Sequence, residues 1–133
     1  MTEAKTIYWA ALLTPESKDL LLKNVPPIHG KVYAEHATIA FKPSEQIDEE
    51  FNKSLGKSVS LTVIGLASDD KGQAVEVKGV SRSDFGTPHI TISCAGGTSP
   101  FYSNQLLQSN IEILDSFQLI ATISKYTDQG WVK

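Results

Sequence analysis

The chain carries a single cysteine, Cys94, so no disulfide can form within it. Its one arginine, Arg82, limits two-pronged guanidinium clamping of phosphate to one place at most. No apolar run approaches the roughly 20 residues that a membrane-spanning helix needs. Positive charge is not in excess either: 12 Lys+Arg against 15 Asp+Glu leave a net charge of −3. A sequence-independent grip on long nucleic acid rests on many basic contacts to phosphate, and is not expected. A nucleotide or an RNA end stays open as a substrate. The opening "MTEAKTIYWA" lacks the basic segment and apolar core of a secretion signal. The expectation is a cytoplasmic protein with no membrane association.

What is present is ordinary for a globular chain: 133 residues, 41% hydrophobic and 20% charged. That length suits one domain over 1–133, with a core that needs no disulfide or metal staple. "TIYWAALL" (6–13) is β-branched, aromatic and apolar throughout, which predicts a buried strand. Thr14 then stands as a helix cap with Pro15 just inside, and Pro26 and Pro27 end that helix. "KVYAEHATIAF" (31–41) reads as a strand. After it, Ile47, Phe51 and Leu55 fall on one helical face, between a Ser44 cap and a Gly56 stop. Alternation predicts strands over 58–67 and 116–124, with further strands at 73–80 and 88–95. "GGTSPFYSNQLLQSN" (96–110) reads as a glycine loop and a short helix, and Trp131–Val132 as the start of a last strand. The fold class expected is α+β, with mostly antiparallel strands, flanking helices and two similar lobes related by a pseudo-two-fold axis.

Two of the three histidines open near-identical stretches, "HATIAF" (36–41) and "HITISC" (89–94). Side chains of a strand alternate between its faces. His36, Thr38 and Ala40 therefore share a face, opposite Ala37, Ile39 and Phe41. His89, Thr91 and Ser93 likewise share a face, opposite Ile90, Ile92 and Cys94. Each strand has an apolar back for the core and a polar front with one imidazole and one hydroxyl. Two such strands side by side aim both pairs into one cleft. One imidazole can take a proton from water while the other gives one to a leaving oxygen. The threonines can donate to phosphate oxygens and steady the charge of the transition state. That chemistry suits a phosphodiester, and a 2′,3′-cyclic phosphate best.

The doubled His-x-Thr-hydrophobic motif, "HATI" (36–39) and "HITI" (89–92), resembles the two-histidine (2H) phosphoesterase superfamily. The order of elements along the chain is similar as well. "SNQLL" (103–107) looks like the branch formed by the cyclic phosphodiesterase domain of fungal-type tRNA ligases. The resemblance implies hydrolysis of a 2′,3′-cyclic phosphate or similar diester with no metal and no cofactor. His36 and His89 would be the catalytic pair, and Thr38 and Thr91 the phosphate-binding residues.

Other residues fill out the picture. Tyr8, Lys42 and Tyr102 are candidate substrate contacts, beside the ordinary roles of core packing for tyrosine and solvation for lysine. Phe101 and Trp131 are further candidates for stacking a base. His29, in the turn-like "PPIHGK", invites a zinc triad with the other two histidines, but no closely spaced ligand pair supports one. Cys94 faces away from His89 and reads as core. "CAGGTSP" could form a phosphate-receiving loop at a helix N-terminus, but no P-loop lysine follows, and a plain connecting loop is the expectation. The expected partner is a small nucleotide or RNA terminus, bound by a monomer. Two alternatives stand beside a 2′,3′-cyclic phosphodiesterase. One is a phage-type phosphodiesterase cleaving cyclic oligonucleotide immune signals, and the other a non-catalytic nucleotide-binding module.

Overall fold

Hydroxyl caps start both longer helices where the sequence places them. The computed structural model describes residues 5–80, 82, 86–108 and 111–132. After β1 (Thr6–Leu13), the Thr14 side chain accepts from the Ser17 N–H at 3.2 Å and begins α1 (Pro15–Asn24). Pro26 follows the Val25 cap and stops it. The expected strand over 31–41 is split into β2 (Lys31–Val32) and β3 (His36–Phe41). Ala34 has a positive φ of 52° between them, which breaks the extended backbone while both pieces run the same way along β6. Ser44 caps α2 (Glu45–Asn52) by accepting from Ile47 N–H at 3.3 Å. A hydrogen bond from Trp9 Nε1 to Asp48 Oδ1, 2.8 Å, ties this helix to β1.

Then come β4 (Ser58–Ser68), β5 (Gly72–Lys78) and β6 (His89–Cys94). The helix expected after the glycine loop is a 3₁₀ turn (Pro100–Tyr102) running into a single turn, α3 (Ser103–Leu106). The chain closes with β7 (Glu112–Thr127) and β8 (Gly130–Val132). Among the described residues no helix is long and apolar enough to cross a membrane.

All strand pairs are antiparallel, in the order β1-β3-β6-β5-β4-β7-β8, and β1 also pairs β7. Six strands thus close into a ring, with β2 added on β6 and β8 on β7. Closure depends on β7, whose 16 residues pair β4 along one stretch and β1 along the next. The α+β class and the antiparallel pairing agree with expectation. A division into two similar lobes related by a pseudo-two-fold axis is not evident in this ring, because β7 joins the first and second halves of the sheet edge to edge.

One face of every ring strand is apolar and buried. Ile123, Ala11, Ala37, Ile90 and Val75 are linked by register from strand to strand, and Leu61, Val63, Leu119 and Trp9 complete the same cluster. Alternate residues such as Ser58, Ser60 and Gln118 are exposed, so the apolar face is the inside of the ring. Leu21 and Val25 of α1 join this cluster, and Ile47 and Phe51 of α2 pack against it. Each fully buried large side chain contributes about 1.5–3 kcal/mol. Gly79, just past β5, has φ 120°, and a Cβ there would meet the Ser60 carbonyl oxygen at 2.2 Å. Only glycine fits that turn, which leads into the segment carrying Arg82.

Candidate active site on the outer wall of the ring

The two motif strands are neighbours. β3 and β6 meet antiparallel through the pair Ala37↔Ile90. Continuing that register sets His36 beside Thr91 and Thr38 beside His89. Since Ala37, Ile39, Ile90 and Ile92 are buried in the core, the four polar side chains lie on the opposite, outer face. There they line one cavity of about 400 Å³, together with Tyr8 and Arg82. The positive φ values of Ala34 and Lys42, 52° and 50°, interrupt the extended backbone at either end of β3.

The two histidines sit in different surroundings. His89 is 8% exposed, and its Nδ1 lies 2.8 Å from the Thr87 carbonyl oxygen. A carbonyl only accepts, so Nδ1 turns a proton toward it. Arg82 Nη1 lies 3.5 Å from the same Nδ1 and donates to Asn104 Oδ1 at 2.9 Å. His36 Nδ1, by contrast, is buried without a hydrogen-bond partner among the described residues. The Tyr8 ring stacks on the His36 ring, with centroids 5.1 Å apart, and Trp131 meets it edge-on at 5.6 Å. Burial, and secondarily the nearby His89, push the His36 imidazole down to about 4. It is therefore neutral at physiological pH.

The threonines differ too. Thr91 Oγ1 is 2.8 Å from the Ser103 hydroxyl, so the start of α3 reaches into the site. Thr38 lines the cavity with its hydroxyl unengaged by any side chain among the described residues. Tyr8 is pushed up to about 12 by burial, with Tyr126 and Glu35 adding to the effect, so its phenol keeps its proton and remains a donor.

Of the sequence candidates, His36, His89, Thr38, Thr91 and Tyr8 come together. Lys42 and Tyr102 are not among the cavity's lining residues. Lys42 Nζ lies over the Phe41 ring, 5.6 Å from its centroid. The Tyr102 hydroxyl donates to Asp69 in the β4–β5 turn, which holds that carboxylate below its usual range. The Phe101 side chain lies outside what the structure describes. Trp131 is engaged with His36, Tyr8 and Tyr126 in one aromatic cluster. His29 stands apart from the pair, its Nε2 2.8 Å from the Asp69 carbonyl oxygen. Cys94 is buried, as its place on the apolar back implies.

Sequence reasoning did not place Arg82, Asn104, Ser103 or Tyr126. Arg82 carried the strongest signal, being the chain's sole guanidinium and seven residues ahead of His89. The others depend on which segments fold over the outer wall, and no local pattern encodes that.

No protein-family model matches the chain, and no curated protein matches it. Among solved structures, the chain is similar in fold to one described as a fungal RNA kinase. The match has a TM-score of 0.58 at 14% identity, covers 92% of this chain and 46% of that one. The chain therefore spans about half the length of that neighbour, and the likeness is one of fold.

Proposed function

We propose that this chain is a metal-independent phosphodiesterase of the two-histidine type, hydrolysing 2′,3′-cyclic phosphates of nucleotides or RNA ends. The observation that carries this reading is the gathering of His36, Thr38, His89 and Thr91 around one cavity. The cavity's volume lies within the range of small-molecule sites. Similarity in fold to a fungal RNA kinase supports a substrate related to RNA. The kinase activity itself is not carried over, because the glycine loop "CAGGTSP" has no P-loop lysine after it.

The asymmetry between the histidines supports a division of roles. Neutral His36 accepts a proton from water as the oxygen attacks phosphorus. One of the two ring P–O bonds breaks, and its electron pair leaves on the ribose oxygen. Protonated His89 donates from Nε2 to that oxygen, while its Nδ1–H on the Thr87 carbonyl orients the ring. The product is a phosphomonoester, with one proton gained by His36 and one lost by His89. Thr38 and Thr91 donate to the non-bridging oxygens, Tyr8 is a further donor, and Arg82 brings the cavity's cationic charge to the phosphate.

The test is incubation with the four nucleoside 2′,3′-cyclic phosphates, with and without EDTA. Formation of a nucleoside monophosphate at a rate insensitive to chelation is expected. Binding without turnover across the panel would sink the catalytic reading, and loss of turnover with EDTA the metal-independent one.

A further inference from the structure

A histidine whose free nitrogen does the chemistry is ordinarily oriented by a hydrogen bond at the other nitrogen. His89 has such a bond, and among the described residues His36 Nδ1 does not. The last torsion of a histidine is broad and soft, so an imidazole without that bond is free to rotate unless packing stops it. Around His36 the packing is aromatic. Tyr8 lies against one face at 5.1 Å and 26°, and Trp131 meets the ring at 5.6 Å and 64°. Tyr126 stacks on Tyr8 at 5.3 Å and meets Trp131 at 5.2 Å, and Trp131 meets Tyr8 edge-on at 5.6 Å. Each ring therefore holds at least two others.

Trp131 belongs to β8, three residues that pair with β7 alone and add nothing to closure of the ring. The hairpin is nonetheless firmly built. Thr127 Oγ1 donates to the Gly130 carbonyl at 2.8 Å and accepts from Gln129 N–H at 3.1 Å. Asp128 is bonded both ways to the backbone of Lys5, just before β1. What the hairpin supplies to the site is one indole.

We propose that the β7–β8 hairpin is the positioning element for His36: Trp131 completes an aromatic clamp that fixes the imidazole plane and screens it from water, in place of the missing hydrogen bond. The proposal rests on His36 being the proton acceptor, but the clamp can be read without any substrate. The titratable groups around the imidazole and its cavity are Tyr8 on β1, His89 on β6, Tyr126 on β7, and Tyr33 and Glu35 ahead of β3. Arg82 lines the same cavity beside His89. Trp131 carries no charge, so removing it changes solvent access and ring freedom while leaving those charges in place.

The experiment uses the whole chain with Trp131→Ala and Trp131→Phe. The C–H resonances of His36, assigned by their loss in His36→Asn, are followed by NMR against pH. With alanine, the His36 titration should move up toward the ordinary histidine range by about one unit or more. Turnover should fall by about tenfold or more with KM nearly unchanged, as expected for a misplaced reacting group. Phenylalanine, which keeps a ring in place, should restore most of both. An unchanged His36 titration in Trp131→Ala overturns the proposal, as does a phenylalanine variant no better than alanine. If Trp131→Ala does not fold, Trp131→Leu gives the same two outcomes in the titration. If the phosphodiesterase reading is wrong, no variant turns over a cyclic phosphate, yet the titration still reports on the clamp.

Discussion

The two half-sites are written in nearly the same letters and built in opposite ways. His89 is held by polar contacts: its Nδ1 on the Thr87 carbonyl, a guanidinium beside it, and its partner Thr91 bonded to Ser103. His36 is held by rings, with an unbonded Nδ1 and a threonine left open to the cavity. The same tripeptide pattern yields an imidazole oriented by a carbonyl in one strand and one that burial keeps from taking a proton in the other. Strand alternation fixes which way the residues point, and what packs over them decides their chemistry.

The largest effect should come from deleting either imidazole. His36→Ala and His89→Ala should each lower kcat by about 10²–10⁴-fold, read as initial rates on a nucleoside 2′,3′-cyclic phosphate. The comparison then sharpens with pH. His36 must be neutral to accept a proton, so the acid limb of the rate profile should fall near pH 4 instead of at the ordinary 6.5. An acid limb at the ordinary histidine value would break the assigned difference between the two.

The depressed His36 also links folding to pH. The unfolded chain takes up a proton below 6.5, whereas the folded chain resists it until about 4. Stability is therefore lost as pH falls through that window and levels off below it, by on the order of 3 kcal/mol in all. Urea midpoints at pH 7 and pH 4.5 should differ more for the native chain than for His36→Phe.

A smaller contrast is expected between the threonines. Thr91→Val leaves the Ser103 hydroxyl, only 2% exposed, without its partner. That should cost about 1–3 kcal/mol in a denaturant titration, in addition to lost activity. Thr38→Val should lower kcat/KM with the denaturant midpoint almost unmoved. Equal losses of stability would erase the distinction. Tyr102→Phe lies at the bottom of the scale. Its hydroxyl serves Asp69 at an exposed turn, so turnover should change by less than about twofold.

Much of the wall behind the site is legible in the sequence. Period-two alternation separated His36, Thr38, His89 and Thr91 from the apolar back, and the caps at Thr14 and Ser44 are local signals read locally. What escaped was non-local. The split at Ala34 needs a positive φ that nothing in "KVYAEHATIAF" announces. The full length of β7 is hidden because Glu112–Ser116 does not alternate cleanly, and with it the closure of the ring. Arg82 and Asn104 reach the cavity, and Ser103 the back of Thr91, through connections after β5 and β6 whose course depends on the assembled wall. Lys42, adjacent to the motif, has a positive φ that breaks the strand's alternation, and its Nζ lies over the Phe41 ring instead of lining the cavity.

The six-stranded ring has one more consequence. A closed antiparallel wall has no free edge, so its strands cannot slide past one another without breaking register all the way round. β3 and β6 thus give the cavity an unyielding floor. Adjustment to ligands of different bulk falls to what is fastened onto that floor, above all the turn carrying Ser99 and Pro100 ahead of α3. Substrate preference can accordingly be altered at the rim without redesigning the foundation.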